Sequence, residues 1–471
     1  MRFTGSAAVV FCMARAAWAQ GDEVPELRSP ARLDLEGDPE RALRQDKKAD
    51  APKSDMELRA SFTDGFHLMT ADGSFDLHVG GRVLEEYRSI FDRPIGPAGA
   101  PLAPGTARAP ADSLTTREIF LSLDGTIYHD WGFKINGDFA AGATLLEEGF
   151  MEWKHFKEFR LQFCQFKVPQ SSEVIGSPRF LEEIQRTAMA RFNPGIEMGV
   201  MATGSVADGR VNYWMGVSNG RSHLNNNGRS VVDDNGSKEF EAKLAIMPWA
   251  PDPESFLRKF RVGGYYTRDL QGMGSRFTAA PGGPVTLGNV NTNELGVTWV
   301  TLPAGAFGER TRWGTEILYA WGPASIRGEY QGRRDRYENA AGTIDERLPV
   351  QGYTLTATWL LTGEDKGPIA RVNPSRPFDL EGGWGALELV VRYAVCTLDN
   401  AQLSAIGVST ANGANTNRVS AFTAGLNWWT TKNTRLSVDY VAELYNDPLQ
   451  FEADKNRASL GGILARFQVD F

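Results

Sequence analysis

A chain of 471 residues with a formal charge of −8 and a mean hydropathy of −0.32 has room for several soluble domains or for one large barrel. Its acidic balance argues against a nucleic-acid partner. Its three cysteines, Cys12, Cys164 and Cys396, suit neither a disulfide framework nor a zinc site.

Residues 1–19 read as a secretory signal peptide. Arg2 supplies the positive start, Ala7 to Met13 the apolar run, and Ala17-Trp18-Ala19 the small residues at the cleavage site. Arg15 after the apolar run departs from the pattern. Cleavage before Gln20 removes Arg2 and Arg15 and takes the formal charge from −8 to −10. Residues 20–60 carry eleven acidic and eight basic side chains with few aromatics, a polar periplasmic leader that is partly disordered or helical. No later stretch approaches the roughly twenty apolar residues of a membrane helix.

From residue 61 to 471 the pattern becomes an alternation of apolar and polar side chains. Trp131, Phe133, Ile135, Gly137 and Phe139 oppose Lys134, Asn136 and Asp138. Tyr353, Leu355, Ala357, Trp359 and Leu361 oppose Thr354, Thr356 and Thr358, and Leu387, Leu389, Val391, Tyr393 and Val395 oppose Glu388, Val390, Arg392 and Ala394. Leu436, Val438, Tyr440, Ala442 and Leu444 oppose Arg435, Ser437, Asp439, Val441 and Glu443. Ile463, Ala465, Phe467, Val469 and Phe471 oppose Leu464, Arg466, Gln468 and Asp470. Successive strand side chains point to opposite faces, so each run has an apolar face and a mostly polar one.

Runs of about ten residues exceed ordinary soluble strands and match the length needed to cross hydrocarbon at a tilt. Connections alternate in length: tight near His129-Asp130, Phe156 to Glu158 and Thr430 to Asn433, long at 92–114, 220–236, 269–291 and 398–418. Trp131, Trp153, Phe156, Trp249, Trp428 and Trp429 crowd the tight turns, as an interfacial girdle requires. Lipid offers no partner to an open sheet edge, so such strands must close on themselves. Strand-like runs from residue 74 number seventeen. A barrel with both ends on one side needs an even number, so at least one run is misassigned. The ambiguous region is 269–348, where Gly322-Pro323 reads as a turn or an interruption. A run at 62–70 also fits the first hairpin, with Asp72-Gly73 as its turn.

Three stretches resemble the phosphate-selective porin O and P family. They are TREIFLSLDGTIYHDWGFKINGDFA (Thr116 to Ala140), the region Phe159 to Gly220 with FCQFKVPQSSEV, ARFNPGIEMGV and VNYWMGVSNG, and a C-terminal set. That set comprises GYTLTATWLLTGED, WGALELVVRYAV, AGLNWWTTKNTRLSVDY and the terminal ARFQVDF. The resemblance implies a sixteen-stranded barrel, a trimer, and a third loop folded inward to narrow the pore. That loop falls at Pro169 to Pro194, which the segmentation also leaves between two strands. The family's glycine before the FK element is absent, with Cys164 or Gln165 near its place. In the family an arginine and lysine lining draws phosphate toward the narrow zone.

For a channel, function lies in lumen charges and the constriction. The candidate loop carries Lys167, Arg179, Arg186 and Arg191 against Glu173, Glu182 and Glu183, a net charge of +1. Arginine's planar fork suits an oxyanion. Arg160, Lys134 and Arg117 extend a basic track, although parity puts Arg117 on the Ile119 and Leu121 face or at the rim. The bland alternative is that lumen arginines pair with loop glutamates and only brace the barrel. His67, His78, His129, His155 and His223 sit in no nucleophile or metal-ligand spacing, and no glycine-rich phosphate cradle follows a strand. The expectation is an all-β transmembrane antiparallel barrel of about sixteen strands, or eighteen, in the outer membrane. It works as a porin passing small solutes, anions or phosphate among them, with no catalytic residue, cofactor or metal. Its partners are solutes, outer-membrane lipid and two further copies in a homotrimer. The competing readings are a porin specific for another solute and a structural or adhesive barrel with a plugged lumen.

Overall fold

The computed structural model describes residues 58–91, 112–140, 144–220, 238–269, 289–303, 306–339, 342–452 and 455–471. The expected signal peptide, nearly all of the expected leader, and His223 lie outside the described residues. Two strands, β1 (Leu58–Phe62) and β2 (Phe66–Thr70), form a first hairpin, so strand structure begins three residues before the expected barrel boundary. There follow β3 (Phe75–Ile90), β4 (Ser113–Ile127), β5 (Trp131–Asp138), β6 (Leu145–Trp153), β7 (Arg160–Lys167), β8 (Ile196–Val206), β9 (Val211–Ser218), β10 (Glu239–Ile246) and β11 (Arg261–Asp269). A short pair, β12 (Asn289–Asn291) and β13 (Thr298–Thr301), stands apart from the main sheet. Then come β14 (Ala306–Trp321), β15 (Ala324–Glu338), β16 (Asp345–Leu360), β17 (Ala386–Leu398), β18 (Arg418–Thr431), β19 (Thr434–Glu452) and β20 (Lys455–Asp470).

β3 to β11 and β14 to β20 make sixteen antiparallel barrel strands, each paired with its neighbours in sequence. The ring closes where β20 meets β3, from Gly462 opposite Ile90 to Asp470 opposite Arg82. The first hairpin joins the free lower part of β3, with Phe66 opposite Val79, and so raises the sheet to eighteen strands without entering the ring. Asp72 closes the turn before β3 by accepting from Thr70 Oγ1 at 2.6 Å and from Ser74 N at 3.0 Å. The Thr70 hydroxyl bond and the Ser74 bonds hold the Asp72 carboxyl down to about 2.

Alternation appears as an inverted burial pattern. On β20, Phe467 and Val469 are 43% and 38% exposed, whereas Arg466, Gln468 and Asp470 are at most 3% exposed. On β16, Tyr353, Leu355 and Trp359 lie exposed while Thr354, Thr356 and Thr358 are buried. Apolar groups outside and polar groups inside suit a wall with lipid on one face only.

Four expectations change in detail. The surplus run in 269–348 has a physical origin: residues 289–301 have strand character but fold as the β12–β13 hairpin against the inside of the wall. Gly322-Pro323 is a tight turn, with Gly322 at φ +53° and Trp321 paired to Ala324. Connection lengths alternate only as a tendency, because residues 247–260 and 361–385 join β10 to β11 and β16 to β17 at the end that carries the tight turns. Trp131, Phe156 and Trp249 are exposed near such turns, but Trp429 is 1% exposed and lies on the inner face, its ring 4.7 Å from the Arg435 guanidinium. One residue along, Trp428 points the other way and donates to the Trp384 carbonyl at 2.7 Å. Outside a bulge, adjacent strand residues face opposite ways.

The third outer connection, residues 168–195, turns into the barrel. It carries a short helical turn (Ser172–Ile175) and a 3₁₀ turn (Ala188–Phe192). Ile184, Ala188, Met189 and Phe192 pack with Leu295, Val297 and Trp299 from the second infolded segment and with wall residues Val350, Cys396, Val419 and Val441. Each fully buried aliphatic or aromatic side chain there contributes about 1.5–3 kcal/mol. The interior is therefore dry on one side.

Candidate pore constriction

The inward loop is held to the wall by its acidic residues. Glu183 accepts from Arg327 Nη2 at 2.9 Å and Thr356 Oγ1 at 2.6 Å. Glu182 lies 3.5 Å from Arg327 and 3.3 Å from Lys366, which also pairs with Glu388. Glu173 accepts from Thr187 N and Oγ1, both at 2.8 Å, and meets Arg392 at 3.4 Å. Wall carboxylates return the contact: Ser172 Oγ donates to Glu316 at 2.6 Å, and Ile184 N to Asp439 at 2.8 Å. All these charged side chains are at most about 2% exposed. Buried charges need such pairing, because an isolated ion out of water costs several kcal/mol.

This anchoring changes the meaning of the loop's net charge. The three glutamates are neutralised by cations of β15, β17 and the 361–385 connection, so they do not neutralise the loop's Arg186 and Arg191. Arg186 half-emerges and donates only to carbonyls, those of Glu173 at 3.0 Å and Gly176 at 2.9 Å. Arg191 is exposed and lies in the field of Arg117 and Arg88. Among the described residues Arg88, Arg186 and Arg191 make no ion pair with a carboxylate. The Arg88 Nε has no hydrogen-bond partner among them either.

Arg117 joins this group through a β-bulge. Leu84 stands opposite Glu118 and Glu85 opposite Thr116, so Arg117 is the extra residue of β4. A bulge re-aims its side chain and breaks the two-residue rhythm. Simple parity, which put Arg117 on the Ile119 face or at the rim, therefore fails. Arg117 lies in the field of Glu118, Glu86 and Glu147, with 40% of its side chain accessible. Glu118 pairs with Arg82 at 2.6 Å and, more loosely, with Arg117 at 3.9 Å.

The other expected residues divide. Lys167, at the end of β7, donates to the Ile175 carbonyl at 3.2 Å within the field of Glu148, Glu147 and Arg186. Lys134 pairs with Glu148 at 3.4 Å and stays 33% accessible. Arg179 is elsewhere: it stacks on Phe180 at 4.5 Å and meets Asp470 at 3.7 Å, with Arg82, Arg371 and Asp64 as its charged neighbours. Arg160 is exposed at the start of β7, beside the 154–159 turn and away from the loop's level. The loop thus braces through its glutamates, and Arg88, Arg117 and Arg186, half-buried, and Arg191, exposed, gather beside β3 and β4 with Arg117 a charged neighbour of the other three.

Arg88 was not singled out in the sequence, although Arg82, Leu84, Glu86 and Arg88 alternate with Val83, Glu85 and Tyr87 along β3. Both Cys164 and Cys396 are free; Cys164 is exposed, and Cys396 is buried with Sγ 3.9 Å from Met189 Sδ. No group of three or more His, Cys, Asp or Glu among the described residues could hold a metal ion. His155 lies 3.0 Å from Asp130 at a tight turn, and His67 stacks on His78 at 4.5 Å near the first hairpin.

A closed sixteen-stranded barrel, apolar outside and narrowed by an inward loop, is the architecture of an outer-membrane diffusion channel. The sequence pattern of the phosphate-selective porin O and P family matches residues 105–471, and the chain belongs to that family. Porin O of Pseudomonas aeruginosa is 25% identical over 401 residues, covering 80% of this chain and 85% of that protein. Among solved structures the chain is similar to the outer membrane channel DcaP of Acinetobacter baumannii, at 12% identity and TM-score 0.49, covering 86% of this chain and 99% of that one. It is also similar to the anion-selective porin from Comamonas acidovorans, at 13% identity and TM-score 0.49, covering 84% of this chain and all of that one (100%). The protein is an outer-membrane porin, of a family and fold of channel proteins rather than enzymes.

Proposed function

We propose that this porin prefers anions, phosphate among them, and that Arg88, Arg117, Arg186 and Arg191 form the selecting zone, with Lys167 and Lys134 adjoining. The observation that carries this reading is that three of these arginines have no carboxylate partner among the described residues, whereas the loop's glutamates are all paired. Unneutralised guanidinium groups on a narrow path attract anions and offer each one paired donors. The family's name agrees with this preference. The chain is exported by a signal peptide cleaved before Gln20, a polar leader precedes the barrel, and three copies assemble in outer-membrane lipid.

Purified protein in planar bilayers under a salt gradient should give a reversal potential on the anion side. The Arg88→Gln/Arg186→Gln/Arg191→Gln variant should move it toward zero. A cation-side potential in the unaltered protein would remove the anion reading and leave the porin standing. The plugged-barrel reading has one observation in its favour, the infolded segments 168–195 and 289–302. Against it, occupation is one-sided: Arg327 and Arg392 are 2% and 1% exposed, while Arg117 and Lys134 keep 40% and 33% of their side chains accessible. Absence of any conductance would restore it.

A further inference from the structure

A second bulge lies two strands from the first. Asn136 of β5 stands opposite Glu148 and Gly137 opposite Leu146, so Glu147 is the extra residue of β6. Leu146 is 43% exposed on the lipid side, and Glu148 is buried on the lumen side with Lys134. Glu147 follows Glu148 inward: its charged neighbours are Glu118, Lys167, Arg82 and Asp138, and it lies in the fields of Arg117 and Arg186. Its carboxylate makes no ion pair among the described residues.

The bulge is held by a dedicated clamp. Gln165 of β7, 5% exposed, donates from Nε2 to the carbonyls of both Leu146 and Glu147, at 2.7 and 2.9 Å. The residue before it, Cys164, has φ +88°, a conformation that favours glycine and costs a side-chain-bearing residue about 1–3 kcal/mol. That twist directly precedes the clamping side chain. Two bulges thus add one base, Arg117, and one acid, Glu147, to the same stretch of lumen.

We propose that Glu147 is a specificity-determining residue of the channel: its unpaired carboxylate, set into the lumen by the bulge that Gln165 clamps, disfavours doubly charged anions relative to singly charged ones. The inference rests on the anion path proposed above. Full arginine attraction would hold a dianion too tightly to leave, and conduction requires binding weak enough for release. A fixed negative charge opposes a dianion twice as strongly as a monoanion. At about 7 Å in water the repulsion of a unit charge is on the order of RT.

The test compares chloride and sulfate currents through single channels of the unaltered protein and of Glu147→Gln. Removing the charge should raise chloride permeability roughly two- to threefold and sulfate permeability by about the square of that factor. Glu147→Asp should return both toward the original values. Gln165→Met, which keeps the acid but frees the bulge, should move both the same way by less, and it provides the measurement if Glu147→Gln fails to fold. Equal changes for the two ions, or none, would overturn the assignment. A cation-side reversal potential in the unaltered protein would instead defeat the anion reading, and the sulfate-to-chloride ratio would still report on Glu147 separately.

Discussion

Arg327→Met isolates what keeps the inward loop in place. The guanidinium lies against Glu183 at 2.9 Å, Glu182 at 3.5 Å and Glu329 at 3.6 Å, all at most 2% exposed. Removing one partner from a buried ion pair costs about 3–5 kcal/mol. Here Glu183 retains Thr356 at 2.6 Å and Arg392 at 3.9 Å, and Glu182 retains Lys366, so the lower end applies. About 3 kcal/mol is roughly a hundredfold in the docking equilibrium of the loop, because each 1.4 kcal/mol is about tenfold. The barrel wall should be untouched, since the pairing of Arg327 with Thr356 and Leu318 is made by backbone groups. Planar bilayers should show open-channel noise absent from the unaltered protein, and trypsin should cut at the loop's arginines about a hundredfold faster when opening is rapid relative to cleavage. A variant that retains the quiet current and the original cleavage rate would refute the view that buried ion pairs hold the loop.

Two further outcomes separate residues that looked alike in the sequence. Arg179→Gln should leave the reversal potential where it is, because Arg179 pairs with Asp470 at 3.7 Å outside the arginine group; a shift comparable to that of Arg191→Gln would contradict its placement. A thiol reagent should label Cys164 in the folded barrel and reach Cys396, 1% exposed, only after unfolding, as counted by mass spectrometry.

Much of the wall was legible because a strand that separates lipid from a polar interior must alternate, and β16, β19 and β20 do so almost without exception. The inward loop was legible as the gap between β7 and β8. What parity could not give were its own interruptions. Arg117 and Glu147 each stand at a bulge, where one strand holds two residues against one, so the face inferred by counting is wrong from that point. Residues 289–301 carry strand-like side chains but pack inside the ring, and only the count of neighbours in space separates such a hairpin from a crossing pair. Trp428 and Trp429 were read together as a belt, although adjacent positions must face opposite ways. The loop's basic residues were found by composition, but which of them are neutralised depends on Arg327, Lys366 and Arg392, which lie 144, 184 and 219 positions from Glu183, Glu182 and Glu173.

Arg371 ties the first hairpin to the last strand: it pairs with Asp64 between β1 and β2 and, at 2.8 Å, with Asp470 of β20. Those partners are 307 and 99 positions away in the chain, so this clasp has no local precursor. The complete clasp forms only after the first hairpin and the last strand have come together. The Asp64 arm of the clasp rewards completion of assembly, because the pair can form only when the hairpin that opens the sheet meets the segment before β17.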